Sequence, residues 1–137
     1  MAKKFHCVLY ETNDSLALVT INRPEKHNAI SLQTLEELQA SVDMAEKDES
    51  NRVIAITGAG GKAFASGSDL NEVAQRDLKK ALEPIVQGLA AQLEAIPKPT
   101  IAAIDGICIS SVSDLNDDSQ LTYFDVYTLA NQIIFGS

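Results

Sequence analysis

"VIAITGAGGKAFASGSDL" (residues 53–70) opens as a run of β-branched residues and continues as backbone with almost no side-chain bulk. The first part, Arg52 to Thr57, predicts a strand. The second predicts a loop in which something approaches the main chain closely, because a bare backbone has few other uses. Upstream, Leu32, Leu35, Leu38, Val42 and Ala45 recur at helical spacing, with Ser31 as N-cap, Glu36 and Glu37 in the first turns favouring the helix dipole, and the charged run Glu46 to Glu49 closing the helix. Further upstream, Phe5 to Glu11 and Leu16 to Asn22 are β-rich and joined by Thr12-Asn13-Asp14-Ser15, a hairpin, and Pro24 ends its second strand. Downstream, Leu78, Leu82, Ile85, Leu89, Leu93 and Ile96 fall on one helical face. Pro84 inside that pattern implies a kink or a second helix start. Pro97-Lys98-Pro99 stops the helix, and Thr100 to Ile104 reads as a buried strand ending at Asp105-Gly106. Helices alternating with strands in this order define an α/β fold.

The chain has 137 residues, 45% of them hydrophobic and 22% charged, which suits one soluble domain. A net charge of −8 with no basic cluster argues against nucleic acid as a partner. Cys7 and Cys108 form no C-x-x-C pair, so a reducing compartment and two buried small side chains are expected. MAKKFHC carries two lysines without an apolar run behind them, which predicts neither a secretory signal nor a membrane span and makes the cytoplasm the expected location.

Three readings of the small-residue loop compete. Gly58-Ala59-Gly60-Gly61-Lys62-Ala63 satisfies G-x-G-x-x-A after a strand, as in a dinucleotide fingerprint. That reading requires the glycines to open a long helix and an acid about 20 residues on at a strand end, whereas Phe64 to Asp69 are small and Gly-interrupted and Glu83 lies in a helical pattern. The second reading is an anion hole, with backbone N–H groups facing a developing negative charge and Ser68-Asp69-Leu70 opening the next helix. The third is a tight surface turn.

"VTINRPEKHNAIS" (19–31), "VIAITGAGGKAFASGSDLNEV" (53–73) and "IPKPTIAAIDGICI" (96–109) resemble three successive signatures of the enoyl-CoA hydratase/isomerase, or crotonase, family, in its order and at its spacing. The resemblance covers residues 5–109. It implies a crotonase-like spiral of ββα repeats, here incomplete, assembled as a homo-oligomer, a trimer or hexamer. It implies an acyl-CoA thioester as the small-molecule partner, with coenzyme A part of the substrate, no separate cofactor and no metal. The family's A-G-A-D loop supplies one oxyanion N–H; carried over, that donor to the thioester oxygen is the amide of Ser68, flanked by Gly67 and Asp69, and Leu70 joins them as a substrate-binding residue. Arg23 to Ala29 matches the stretch lining the adenosine and pantetheine part of coenzyme A, with Lys26 a phosphate or adenine neighbour or a solvated loop lysine, and Ala29 lining the site.

After Ile109 the resemblance breaks down. Where the family continues with G-G-G-x-E-L, this chain has Ser110-Ser111-Val112-Ser113-Asp114-Leu115. Ungapped alignment puts Ser111 at the second oxyanion donor and Asp114 at a catalytic carboxylate, one methylene shorter than glutamate. The F-G-x-P-E segment bearing the partner glutamate has no match. Residues 1–109 therefore read as the core and 110–137 as a divergent tail, whose "LTYFDVYTLANQIIFGS" (121–137) resembles the helix near the family's C-terminus. A shortened member and a translated frameshift both account for this. The corresponding functions are an acyl-CoA hydratase/isomerase and a non-catalytic acyl-CoA-binding or assembly remnant, with a nicotinamide dinucleotide protein as a third.

Overall fold

The computed structural model describes residues 2–66 and 88–108. Seven strands and one complete helix occur there: β1 (Ala2–Lys4), β2 (Val8–Asn13), β3 (Leu16–Ile21), α1 (Leu32–Lys47), β4 (Val53–Gly58), β5 (Ala63–Ala65), β6 (Thr100–Ala103) and β7 (Ile107–Cys108). Residues 88–95 are also helical. The main sheet has the order β1-β2-β3-β4-β6, and β5 pairs with β7 in a two-stranded sheet.

The expected hairpin is present, with β2 antiparallel to β3 from Val8↔Ile21 to Asn13↔Leu16. Its turn is tighter than the sequence cluster suggests, since both strands run inward until only Asp14 and Ser15 remain, and Asp14 takes φ 55°, a left-handed conformation that Asp tolerates. β4 joins β3 in parallel from Leu16↔Val53 to Ile21↔Gly58, and β6 joins β4 in parallel from Ile54↔Thr100 to Thr57↔Ala103. Thr57 Oγ1 adds a bond to the Ala103 carbonyl at 2.8 Å.

One sheet face is covered by α1 and the helical residues 88–95. Val8, Tyr10, Ala17, Val19, Ile21, Ile54 and Ile56 alternate along their strands and meet Leu35, Leu38, Val42, Leu89 and Leu93 in one core. Complete burial of an aliphatic side chain such as Leu38 stabilises by roughly 1.5–3 kcal/mol, so this face outweighs the exposed charge pairs of α1. Ser31 caps α1, its Oγ accepting from the Thr34 amide at 3.1 Å.

Three local expectations are corrected. Glu37 does not serve the helix dipole: it lies past the first turn, is buried, and its Oε1 accepts from the amides of Cys7 at 2.6 Å and Val8 at 3.1 Å. It thereby satisfies the donors of the bend between β1 and β2; the strand expected from Phe5 begins at Val8, and β1 is not among the expected strands. The small-residue loop is not loop throughout, because Ala63–Ala65 forms β5. β6 is not a buried strand: Ile101 is 50% exposed, and Ile104 and Ile107 beyond it are 41% and 51% exposed. As the outermost strand of the described sheet, β6 has no neighbour on one side. Cys7 is a buried free thiol, as expected. Residues 78–87 of the second helical pattern and the tail 110–137 lie outside the described residues.

Candidate functional site

β3, β4 and β6 run parallel, so their carboxyl ends share one edge, the position where open α/β sheets place ligand-binding loops. Three loops leave that edge: 22–30 after β3, 59–62 after β4 and 104–106 after β6.

The first loop is built on Pro24, whose fixed φ starts a short 3-10 turn over Pro24–Lys26. Two consecutive left-handed residues, His27 (φ 53°) and Asn28 (φ 58°), then reverse the chain. The Arg23 guanidinium clasps the loop by donating to the Ala29 carbonyl at 2.6 Å. Asn28 is fully buried. Its Oδ1 accepts from the Arg23 amide at 2.8 Å, and its Nδ2 donates to the carbonyls of Ala59 at 3.0 Å and Ala63 at 2.6 Å.

The second loop therefore sits directly on the first. Gly60 (φ 92°) packs so closely that a Cβ there would meet Pro24 Cβ at 2.8 Å. The third loop closes on the second: Gly106 (φ 96°) lies under the Lys62 carbonyl with no room for a Cβ, and the Ile107 amide donates to that same carbonyl at 2.9 Å. β5 and β7 continue this contact in parallel, Ala63↔Ile107 and Ala65↔Cys108. The third loop thus packs main chain on main chain against the second, while the second meets the Pro24 ring and the Asn28 amide of the first; Gly60 and Gly106 are glycine because neither contact leaves room for a Cβ.

Of the residues expected to line the site, Lys26 is exposed on the first loop and Ala29 is half-buried behind it, its carbonyl held by Arg23. Gly67, Ser68, Asp69, Leu70, Ser111 and Asp114 lie outside the described residues; the described chain stops at Ser66, two residues before Ser68. Sequence reading missed Lys62 and Asn28. Lys62 is exposed on the second loop and belongs to the same edge as Lys26. The available signal for Asn28 was chemical: Asn tolerates left-handed backbone and carries two donors and an acceptor.

One further reading is tested here. The dinucleotide fingerprint fails, because the residues after Gly58-Ala59-Gly60-Gly61 enter strand β5 and not a helix. Among the described residues no group of three or more His, Cys, Asp or Glu could hold a metal ion, and no helix is long and apolar enough to cross a membrane.

A sequence profile of the enoyl-CoA hydratase/isomerase family matches residues 11–116. The chain is 39% identical over 98 residues to 2,3-dehydroadipyl-CoA hydratase of Escherichia coli, a match covering 72% of this chain and 38% of that protein. It is 33% identical over 104 residues to short-chain-enoyl-CoA hydratase of Clostridium acetobutylicum, covering 74% and 40% respectively. The crystal structure of an enoyl-CoA hydratase/carnithine racemase from Magnetospirillum magneticum superposes with a TM-score of 0.70 at 32% identity, covering 77% of this chain and 41% of that one. These matches span about 40% of the length of each relative.

Proposed function

The chain belongs to the enoyl-CoA hydratase/isomerase family and has its crotonase fold in part, and from that premise we propose that it binds acyl-CoA thioesters along the carboxyl edge of β3, β4 and β6. The observation that carries this reading is the convergence of loops 22–30, 59–62 and 104–106, which brings Lys26 and Lys62 to one edge of an otherwise acidic protein. Coenzyme A carries phosphates at one end and a thioester at the other. Two exposed ammonium groups suit the phosphates, and the small residues that follow β5 suit close approach of the thioester to backbone N–H groups.

In this reading the amides of Ser68 and Ser111 donate to the thioester oxygen as negative charge develops on it. Asp114 is the carboxylate that moves a proton between water and the acyl Cα or Cβ, giving hydration or a double-bond shift. The exposed Ile101, Ile104 and Ile107 favour assembly as a homo-oligomer, because an apolar row of this kind gains from being covered.

The test is calorimetric titration of butyryl-CoA, a saturated thioester that cannot be hydrated, into the wild-type chain, Lys26→Ala and Lys62→Ala. Each variant should weaken binding by about 2- to 5-fold, as expected for exposed charge pairs, and the losses should shrink at high salt. A wild-type chain that binds no CoA ester would end the proposal. Binding without turnover of trans-2-enoyl-CoA would retain the ligand and remove the reaction.

A further inference from the structure

We infer that Asn28 is a positioning residue: its buried side-chain amide fixes the separation between loop 22–30 and loop 59–62, so that the two ends of one acyl-CoA are recognised together. This rests on the acyl-CoA reading above, and it adds a residue that touches neither phosphate nor thioester.

The geometry makes the role specific to asparagine. Oδ1 closes the residue's own loop by accepting from the Arg23 amide, while the two protons of Nδ2 go to carbonyls flanking the Gly60-Gly61 tip, those of Ala59 and Ala63. One planar group therefore spans the mouth of the second loop while remaining part of the first. Aspartate would present a carboxylate to two carbonyl oxygens, with no proton to give. Glutamine would add a methylene where the side chain is already fully buried. Alanine would have to adopt φ 58° without the local compensation Asn provides. The contact between Gly60 and Pro24 and the bond from the Ala59 amide to the Ile21 carbonyl bring the loops together at their base; the two directional bonds from Nδ2 tie loop 22–30 to both sides of the second loop's tip, with Oδ1 anchoring the side chain in its own loop.

The consequence reaches along the chain. Ala63 begins β5, and β5 leads through Ser66 toward Ser68. Whatever holds the Ala63 carbonyl relative to Lys26 sets the distance between the cation that meets the nucleotide and the strand that delivers the amide. A ligand bridging both ends needs that distance fixed before it arrives, since misplacement of about 1 Å can cost on the order of 100-fold.

Asn28→Gly and Asn28→Asp test this. Glycine keeps the left-handed backbone without strain and removes all three bonds; aspartate keeps the acceptor for Arg23 and loses both donors. The first readout needs no ligand. Amide hydrogen exchange in both variants should accelerate together in 23–29 and 59–66, by about 10-fold or more, while α1, β2 and β3 keep wild-type protection. Loosening confined to 23–29 would overturn the inference. The second readout is the ratio of affinities for butyryl-CoA and for adenosine 3′,5′-bisphosphate, which spans only the nucleotide end. That ratio should fall by about 10-fold in both variants, and an equal loss for the two ligands would overturn the inference. A wild-type chain that binds neither ligand removes the acyl-CoA reading, and the exchange experiment alone then decides whether Asn28 ties the loops. Should Asn28→Gly lose protection throughout α1, Gly60→Ala takes its place in both measurements, because its Cβ prises the same loops apart through Pro24 with Asn28 intact.

Discussion

The Lys98 ammonium donates to the Asp48 carbonyl at 2.9 Å, closing α1 from fifty residues away. The same nitrogen reaches the carbonyls of Ala45 at 3.0 Å and Glu46 at 2.8 Å, so all three of its protons are used on the negative end of the helix. Pro97 and Pro99 flank Lys98 in a bend that ends the helix of residues 88–95, and β6 begins directly after Pro99. Lys98 is thus the clasp between α1 and β6. Lys98→Met should lower stability by about 1.5–3 kcal/mol in urea unfolding, the range for hydrogen bonds to a charged group. The control is Lys47→Met, which breaks an exposed pair with Asp43 at 3.0 Å and should cost less than about 0.5 kcal/mol.

Gly106 and Gly61 both have positive φ but differ in surroundings. A Cβ on Gly106 would drive into the Lys62 carbonyl, whereas Gly61 has open space around it. Gly61→Ala should cost only the backbone term, about 1–2 kcal/mol. Gly106→Ala should add a steric term of about 1–3 kcal/mol and release the contact of β7 with β5. Thermal melts of the two variants, run side by side, separate these terms.

Two titrating groups near the end of α1 give opposite pH signatures. Ser50 donates to Asp48 through its hydroxyl at 2.6 Å and its amide at 3.0 Å, and these bonds hold the Asp48 carboxyl below its ordinary 3.8. Its contribution is present above 3.8 and is lost as pH falls through the folded value. Ser50→Ala should move the Asp48 titration upward, read by carboxyl NMR. Tyr10 behaves inversely: burial raises its phenol above 10.0, opposed in part by the bond from Asn51. The folded chain then holds that proton more tightly than the unfolded chain, so stability falls as pH rises from 10.0 toward the folded value. Tyr10→Phe should remove this alkaline slope in unfolding curves taken above pH 9.

For the proposed chemistry, Ser68→Ala should leave butyryl-CoA binding nearly intact, because the donor is an amide, and Ser68→Pro should abolish the thioester contact by deleting it. Equal loss in both variants would assign the role to the hydroxyl. Turnover of trans-2-enoyl-CoA should be very low, since Asp114 is the one carboxylate aligned with the family's catalytic pair. A residual rate of about 10³-fold over water would fit backbone donors acting alone. Its collapse in Asp114→Asn would give that residue the catalytic role.

What could be read from sequence was local. The hairpin, the Ser31 cap, α1 and β4 each announce themselves within a few residues, through period-two or helical spacing and a turn or cap. β5 and β7, three and two residues long, exist because Ala63 finds Ile107 across the fold, and no window of sequence holds both. The partners of Glu37 and Asn28 were unreadable for the same reason, since they lie 30 and 35 residues away. Lys26 and Ala29 enter the proposed site through family resemblance, whereas Lys62 enters it only once the loops are brought together.

The parallel pairing of β4 with β6 also fixes an order of events during synthesis. β1 to β4 and α1 leave the ribosome before β6, which follows only after residues 59–99 have been added. At roughly 5–20 residues per second that interval lasts about 2–8 s. Throughout it, the Ile54–Thr57 edge of β4 stands with its ladder groups unpaired, an open template for any other extended chain. Those seconds expose the nascent protein to aggregation, and the pairing of β6 along β4 ends them.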